Sequence, residues 1–141
     1  MIIRVTIPIL PKAQKRDRIT ARGGFARSYT DKAQRLEADK LLTYLMASRP
    51  PVPLQGEISL EIWAYLPIPK SKPRKWRERA FAGLKKPTVK PDSDNLAKQI
   101  LDVMNGVFFE DDRQVTDLSV HKRYTDMPHP AQCWVITFKG D

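Results

Sequence analysis

The stretch that decides the fold is KPDSDNLAKQILDVMNGVFFEDDRQV, residues 90–115. Its apolar residues recur at helical spacing, and about 100° per residue places them on one side of a helix. These residues are Leu96, Ile100, Val103 and Met104. The opposite side carries Asp94, Lys98 and Asp102. We therefore predict a helix that begins near Asp94, ends before Gly106 and packs its apolar side on a sheet.

Strands are predicted on both sides of this helix, because β-branched and alternating apolar residues mark four further segments. The segments are Met1–Ile9, Gly56–Leu66, Val115–Tyr124 and Cys133–Lys139. Another main helix is predicted from Thr30, a suitable N-cap residue, to about Ser48. The sequence order predicts one α/β (α+β) domain over residues 1–141. In this small two-layer domain, a mixed β-sheet is backed by two main helices in the order β-α-β-α-β-β.

Two basic connections complete the predicted fold. Pro11–Ser28 contains Gly23-Gly24 and lacks apolar periodicity, which predicts a loop. Pro67–Lys90 is a long connection with one short helix around Trp76–Leu84, because apolar residues lie four apart there.

Composition and charge narrow the class of protein. The chain has 141 residues, a formal net charge of +9 and a single cysteine, Cys133. One cysteine cannot form a disulfide within the chain, which favours a reducing compartment. No apolar run reaches the roughly 18 residues that a membrane span needs, so we expect no membrane association through a span. The excess of Lys and Arg favours an anionic partner, most commonly a nucleic acid.

The charge is concentrated in segments of opposite sign. Residues 12–27 carry six basic residues against Asp17, a net charge of +5, and residues 67–90 carry nine against Glu78, a net charge of +8. Residues 91–117 carry seven acidic residues against Lys98 and Arg113, a net charge of −5. Carboxylates repel phosphate, and a cation that bridges the two resolves the conflict. The pattern therefore predicts metal-dependent chemistry on a phosphate-bearing partner.

Three carboxylates are the predicted metal ligands. Asp92 and Asp94 flank the start of the helix, and the chain returns after the helix in a way that can bring Asp112 back near them. Three converging carboxylates need a cation, and oxygen-only ligands suit Mg²⁺, with Mn²⁺ as a substitute. Lys98 lies one turn after Asp94, where its ammonium can stabilise developing negative charge or position a water.

Plainer explanations exist for the same residues. An Asp near a helix start commonly caps free N–H groups, and Asp111-Asp112 can form an ordinary turn. Trp76, inside the second basic segment, is either a core residue or a platform for an unpaired base. Other reactive side chains lack zinc-ligand spacing or the context of a nucleophile, and we place them outside the site. They are His121, His129 and Cys133.

The run from Lys90 to Val115 resembles the signature of RusA-type Holliday junction resolvases. That signature combines an Asp-x-Asp-Asn-Leu-x-Lys helix start, a further Asp, an Asn-Gly-like turn and an Asp-Asp-x-Gln-Val segment, all present here. A Lys on the following strand matches Lys122. The resemblance implies a homodimeric, Mg²⁺-dependent endonuclease that cuts four-way DNA junctions by paired symmetric incisions. It also implies a bacterial cytoplasmic protein, encoded in many cases by a prophage.

By position, the resemblance implies that Asp92, Asp94 and Asp112 are the metal-binding catalytic carboxylates and that Lys98 is the catalytic lysine. The supporting candidates are Asp102, Asp111 and Lys122. The basic segments supply the residues predicted to bind DNA. They are Lys12, Lys15, Arg16, Arg18, Arg22, Lys70, Lys72, Arg74, Lys75, Arg77, Lys85, Lys86 and Lys90.

Two other functions remain open from the sequence. One is a noncatalytic branched-DNA-binding protein whose carboxylates only cap a helix. The other is a nuclease that acts on different branched DNA, such as flaps or replication forks. A homodimer has its own physical reason in the preferred case, because a four-way junction has near-twofold symmetry and needs two matched nicks.

Overall fold

The structure is a computed structural model that describes residues 1–14, 18–22, 25–29 and 32–141, with residues 18–22 and 25–29 described by their backbone. The strands are β1 (Ile2–Ile7), β2 (Arg18–Arg22), β3 (Phe25–Tyr29), β4 (Ile58–Leu66), β5 (Val115–Tyr124) and β6 (Cys133–Gly140). The helices are α1 (Lys32–Met46), α2 (Arg74–Phe81) and α3 (Ser93–Met104). The predicted α+β class is confirmed, and the main elements follow the predicted order.

Four strands form a mixed sheet in the order β1-β6-β4-β5. β6 is antiparallel to both β1 and β4, whereas β4 is parallel to β5. Parallel neighbours need a crossover connection, so the chain leaves the sheet after β4 and carries α2 and α3 before it returns as β5. Because α3 belongs to this crossover, it runs from one end of the β4–β5 pair toward the other.

One face of the sheet packs against α1 and α3. Along β4, Ile58, Leu60, Ile62 and Ala64 are each 1% exposed or less, which confirms the alternation predicted for this strand. These residues share one apolar cluster with buried residues of the two helices, which are Leu41, Leu45, Leu96, Ile100 and Met104. Burial of the apolar side of α3 leaves its acidic side toward solvent, as its sequence predicts.

The prediction of a loop over Pro11–Ser28 is wrong for much of that stretch. β2 and β3 form an antiparallel pair in which Arg18 lies opposite Tyr29 and Arg22 lies opposite Phe25. Two glycines between short strands are a common hairpin signal, and the density of basic residues obscured the two short runs beside them. Gly23, Gly24 and the predicted N-cap residue Thr30 lie outside the described residues.

The helices differ from their predictions in detail. α2 begins at Arg74 and ends at Phe81, earlier than the predicted Trp76–Leu84. On α1, Leu41 and Leu45 are buried, whereas Leu36 is 54% exposed and Tyr44 is 43% exposed. None of the helices that the structure describes is both long and apolar enough to cross a membrane.

Candidate active site

The acidic residues at the start of α3 present exposed carboxylates. Asp92 is the N-cap residue, with an extended backbone (φ −74°, ψ 150°), and its side chain accepts no capping hydrogen bond. Asp94 lies in the first turn. Within the described part of the chain, neither carboxylate meets an N–H donor or a basic side chain. Helix capping therefore does not account for Asp92.

The polar residues next to this pair hold the N-terminal segment against α3. Asn95 makes two hydrogen bonds with the backbone of Gln14: its Oδ1 accepts from the amide at 2.7 Å, and its Nδ2 donates to the carbonyl at 2.9 Å. Gln99 donates from Nε2 to the carbonyl of Lys12 at 2.5 Å and to Asn95 Oδ1 at 2.9 Å. This role was not predicted from the sequence, although Asn and Gln four residues apart on one side of a helix are a recognisable pair. The contacts bring the first basic segment beside the acidic pair.

Lys98 pairs with Asp102 rather than with Asp94. Its Nζ lies 3.2 Å from Asp102 Oδ2, and the two side chains are 70% and 46% exposed. An ion pair this exposed contributes little to stability. Lys98 therefore stands one turn from Asp94 on the solvent side of α3, and among the described residues its ammonium contacts Asp102.

Asp111 builds the turn that leads into β5. It is the N-cap of the 3₁₀ turn Asp112–Gln114, and its carboxylate accepts a hydrogen bond from the backbone N–H of Arg113 at 2.9 Å. That bond holds the pKa of the Asp111 carboxyl below its ordinary value, and the neighbouring Asp112 carboxyl also lowers it. Gln114 accepts from two backbone amides and donates to the carbonyls of Leu54 and Gly56 at 2.9 and 3.0 Å. The Asp-Asp-x-Gln run is thus a structural turn that leaves Asp112 exposed.

The seven acidic residues of 91–117 fall into two groups, according to whether a hydrogen-bond donor contacts the carboxylate. Four of them have a donor, in the pairs Asp102 with Lys98, Glu110 with Gln55, Asp111 with the Arg113 amide and Asp117 with Thr116. Among described residues, the other three meet no basic group or N–H donor, and Asp112 contacts only the Asp111 carboxyl. These three, Asp92, Asp94 and Asp112, are the predicted metal ligands. Their oxygens are the hard donors that Mg²⁺ and Mn²⁺ prefer, so the donor set fits the predicted ion.

The two parts of this donor set lie at opposite ends of α3. Near its start, Lys122 of β5 donates from Nζ to the carbonyl of Val89, which places the beginning of α3 beside the final residues of β5. Beyond the end of α3, Asn105 forms an isolated β-bridge with Phe109. Asp112 follows shortly after Phe109, in the 3₁₀ turn immediately before β5. About 16 Å of helix separates Asp94 from Asn105. Across residues 1–14 and 32–141, no three His, Cys, Asp or Glu side chains lie close enough to hold an ion. The structure thus does not bring Asp112 to the acidic pair within one chain.

The second basic segment is described throughout, and its cationic side chains are exposed except for half-buried Lys85. Lys72 and Lys85 lie over the Trp76 ring, with their Nζ atoms 5.2 and 5.7 Å from its centroid. The same ring packs edge-on against Tyr124, with centroids 5.5 Å apart. Trp76 is therefore an anchor that fixes α2 to the end of β5, which favours the first of its two predicted roles, that of a packing residue.

The first basic segment is described in part. Lys12 is exposed, beside the contacts of Gln99. Arg18 and Arg22 lie at the two ends of β2. The predicted DNA-binding residues Lys15 and Arg16 lie outside the described residues.

The remaining reactive side chains lie on the other face of the sheet. His121 stacks on Trp63 and His129 stacks on Tyr65, with centroids 4.1 and 4.0 Å apart. Cys133 is buried, and burial raises the pKa of its thiol. These contacts agree with the prediction that the three residues stand outside the site.

Comparisons with known proteins point to one family. A family model described as "Endodeoxyribonuclease RusA" matches residues 8–130. A protein of Bacillus subtilis (strain 168), described as "Uncharacterized protein YqaN", is 36% identical over 130 residues, which cover 89% of this chain and 90% of that protein.

Proposed function

The chain belongs to the RusA endodeoxyribonuclease family, and from this premise we propose that it is a Mg²⁺-dependent endonuclease that resolves four-way DNA junctions by paired, symmetric hydrolysis of phosphodiesters. The observation that carries the proposal is the set of three exposed carboxylates that meet no basic partner among the described residues and that follow, in sequence, the second of two strongly basic segments. A protein that only binds DNA gains nothing from such groups, because each one repels phosphate.

The residues have separate tasks in this proposal. Asp92, Asp94 and Asp112 hold the ion, which when bound supplies positive charge that offsets negative charge developing on the phosphodiester oxygens. Lys98, on the same side of α3 as Asp94, stabilises that charge or holds the attacking water. Asp102 positions the Lys98 ammonium through their contact at 3.2 Å. Lys122 fixes the segment before Asp92 by its bond to the Val89 carbonyl.

A twofold homodimer explains the separation of the carboxylates. Within one chain the acidic pair and Asp112 stand at opposite ends of α3, so an ion bound by all three needs a ligand from elsewhere. In a twofold dimer, Asp112 of the partner subunit meets the acidic pair of the first subunit, and the reverse contact forms the second site. Two equivalent sites then match the two strands that a resolvase must cut.

Cleavage of a synthetic four-way junction with and without Mg²⁺ tests this function. We expect Mg²⁺-dependent paired nicks, and a loss of about 100-fold or more in rate for Asp92→Asn, since even groups outside the direct ligand shell are worth up to about 100-fold. The matched control is Asp39→Asn, which removes an exposed carboxylate from α1 and should cut as fast as the wild-type protein.

Specific outcomes would contradict the proposal. Equal cutting by Asp92→Asn at unchanged binding would refute the assigned site, and binding without any cutting would leave a noncatalytic branched-DNA-binding protein. Faster cutting of flaps or forks at matched salt would assign a different branched substrate. The bacterial cytoplasm and a prophage origin stay predictions from the resemblance.

A further inference from the structure

Residues 70–90, here named the basic arm, expose three large apolar side chains among their cations. Phe81 is 46% exposed, Leu84 is 69% exposed and Val89 is 62% exposed. Nine Lys and Arg residues surround them in the sequence, against the single acid Glu78. Phe81 and Leu84 are three residues apart at the end of α2, and exposed apolar groups so close together commonly mark a contact surface.

The tip of the arm is held in a fixed turn. The Leu84 amide donates to the Arg79 carbonyl at 2.9 Å, and the Gly83 amide donates to the Ala80 carbonyl at 3.1 Å. Gly83 has a φ of +81°, which completes the Schellman ending of α2. In that motif, the residue at the position of Leu84 usually packs on the preceding turn. Here that turn offers charged Arg79 and Glu78, so Leu84 stays exposed.

The other side of the arm is anchored to the fold. Ala80 is 1% exposed, and Trp76 packs against Tyr124. Phe81 follows Arg77 by four residues and therefore lies on the outward side of α2. The arm thus presents Phe81 and Leu84 from a supported turn, at little cost in conformational entropy when they are covered.

The positive charge of the basic arm indicates which kind of ligand binds its tip. A second copy of the arm would meet like charge, whereas a polyanion is attracted. Continuous duplex offers phosphates but keeps the faces of its bases stacked, and opening a step costs a few kcal/mol. A branch point already has bases with incomplete stacking, so it offers phosphate and apolar base surface together.

We propose that Phe81 and Leu84 form an apolar wedge that inserts among the bases exposed at a DNA branch point, while the cations of the arm hold the flanking phosphates. This inference rests on the proposed action on branched DNA. The arm is close to the proposed site, because it continues through Val89, which Lys122 holds, directly into Asp92. The wedge makes branched DNA the preferred ligand over continuous duplex.

Binding to a junction that carries 2-aminopurine beside the branch point tests the wedge in metal-free buffer. The test variant is Phe81→Ser with Leu84→Ser, and the matched control is Val52→Ser, which removes a 67% exposed apolar side chain outside the arm. We expect the wild-type protein and the control to raise the fluorescence as the base unstacks. The test variant should lose that rise and about tenfold or more in junction affinity, the scale of one lost base contact. Its affinity for duplex and its thermal unfolding midpoint should stay unchanged.

The other outcomes overturn the inference. If the test variant keeps its affinity for the junction, or loses affinity equally for junction and duplex, the tip does not distinguish branched from continuous DNA. Loss of binding to anionic phosphatidylserine vesicles with unchanged DNA binding would assign the tip to a membrane surface. Wild-type cleavage of the same junction with Mg²⁺ is measured in parallel. Absent cleavage with an intact wedge signal refutes the nuclease alone, whereas normal cleavage without that signal refutes the wedge alone.

Discussion

A mixed dimer of two inactive variants tests whether the metal site is shared between subunits. Asp92→Asn damages the start of α3, and Asp112→Asn damages the turn before β5, so each homodimer carries a defect in both sites. In a twofold dimer with shared sites, the mixed dimer has one site with both defects and one site with neither. In a purified mixed dimer one of the two sites is therefore intact, which restores about half of the wild-type sites.

The assay is junction cleavage by the two variants co-expressed with different tags and purified through both tags. One intact site per dimer cuts one strand, so nicked junctions should accumulate in place of resolved duplexes. The matched control pairs Asp92→Asn with Asp94→Asn. These two residues stand at the same end of α3, so each site of the mixed dimer keeps one defect and no activity returns.

Two outcomes of the mixed-dimer experiment would contradict the shared site. No recovery in a verified Asp92→Asn/Asp112→Asn dimer would show that one chain supplies all three ligands, which requires a rearrangement of α3 and the turn before β5. Recovery in the control would show that Asp92 and Asp94 do not serve one ion. Either result refutes the argument from the two ends of α3.

Three further predictions concern the turn and the acidic pair. Gln114→Ala removes four hydrogen bonds and should lower the free energy of unfolding, measured by urea denaturation, by about 2 kcal/mol. The control Gln55→Ala removes one hydrogen bond and should lower it much less. Equal losses in the two variants would contradict this prediction. The lowered pKa of Asp111 means that its charge stabilises the fold above the ordinary carboxyl range and stops doing so as pH falls through the folded-state pKa. The free energy of unfolding of the wild-type protein should therefore exceed that of Asp111→Ser by less at acid pH than at neutral pH. A difference that grows at acid pH would contradict the role of the Asp111 carboxylate as N-cap. Asp94→Asn should keep or strengthen junction binding in metal-free buffer, because one charge that repels phosphate is gone, and markedly weaker binding in a gel-shift titration would count against this.

The fold was predictable where one periodicity dominates. β4 alternates without interruption from Ile58 to Ala64, and α3 separates apolar from acidic residues, so burial decides both elements. The hairpin of β2 and β3 was not predictable in the same way, because each strand has five residues and both strands carry Arg. Such short strands depend on pairing with each other more than on a pattern within either one.

The candidate site was predictable in its residues but not in its arrangement. Asp-x-Asp at a helix start and Asp112 after the helix are local patterns, and their chemistry follows from carboxylates near basic segments. The distance between them depends on the path of the crossover from β4 to β5, which no local pattern encodes. The sequence predicts that the returning chain can bring Asp112 near the acidic pair. The length of α3 prevents it, because the chain returns at the far end of the helix.

The position of Asp92 and Asp94 depends on the register of α3. Leu96 and Ile100 face the core, while Asn95 and Gln99 face the backbone of residues 12–14. A shift by one residue would turn each side by about 100°. It would place either Asp94 or Leu96 where the Gln14 amide and carbonyl need one neutral polar partner. Apolar burial and the Asn95 contacts therefore fix the same register, and that register leaves the acidic pair facing solvent. Three neighbouring residues of α3 therefore have three different tasks: Asp94 belongs to the carboxylate site, Asn95 binds the first basic segment and Leu96 packs in the core.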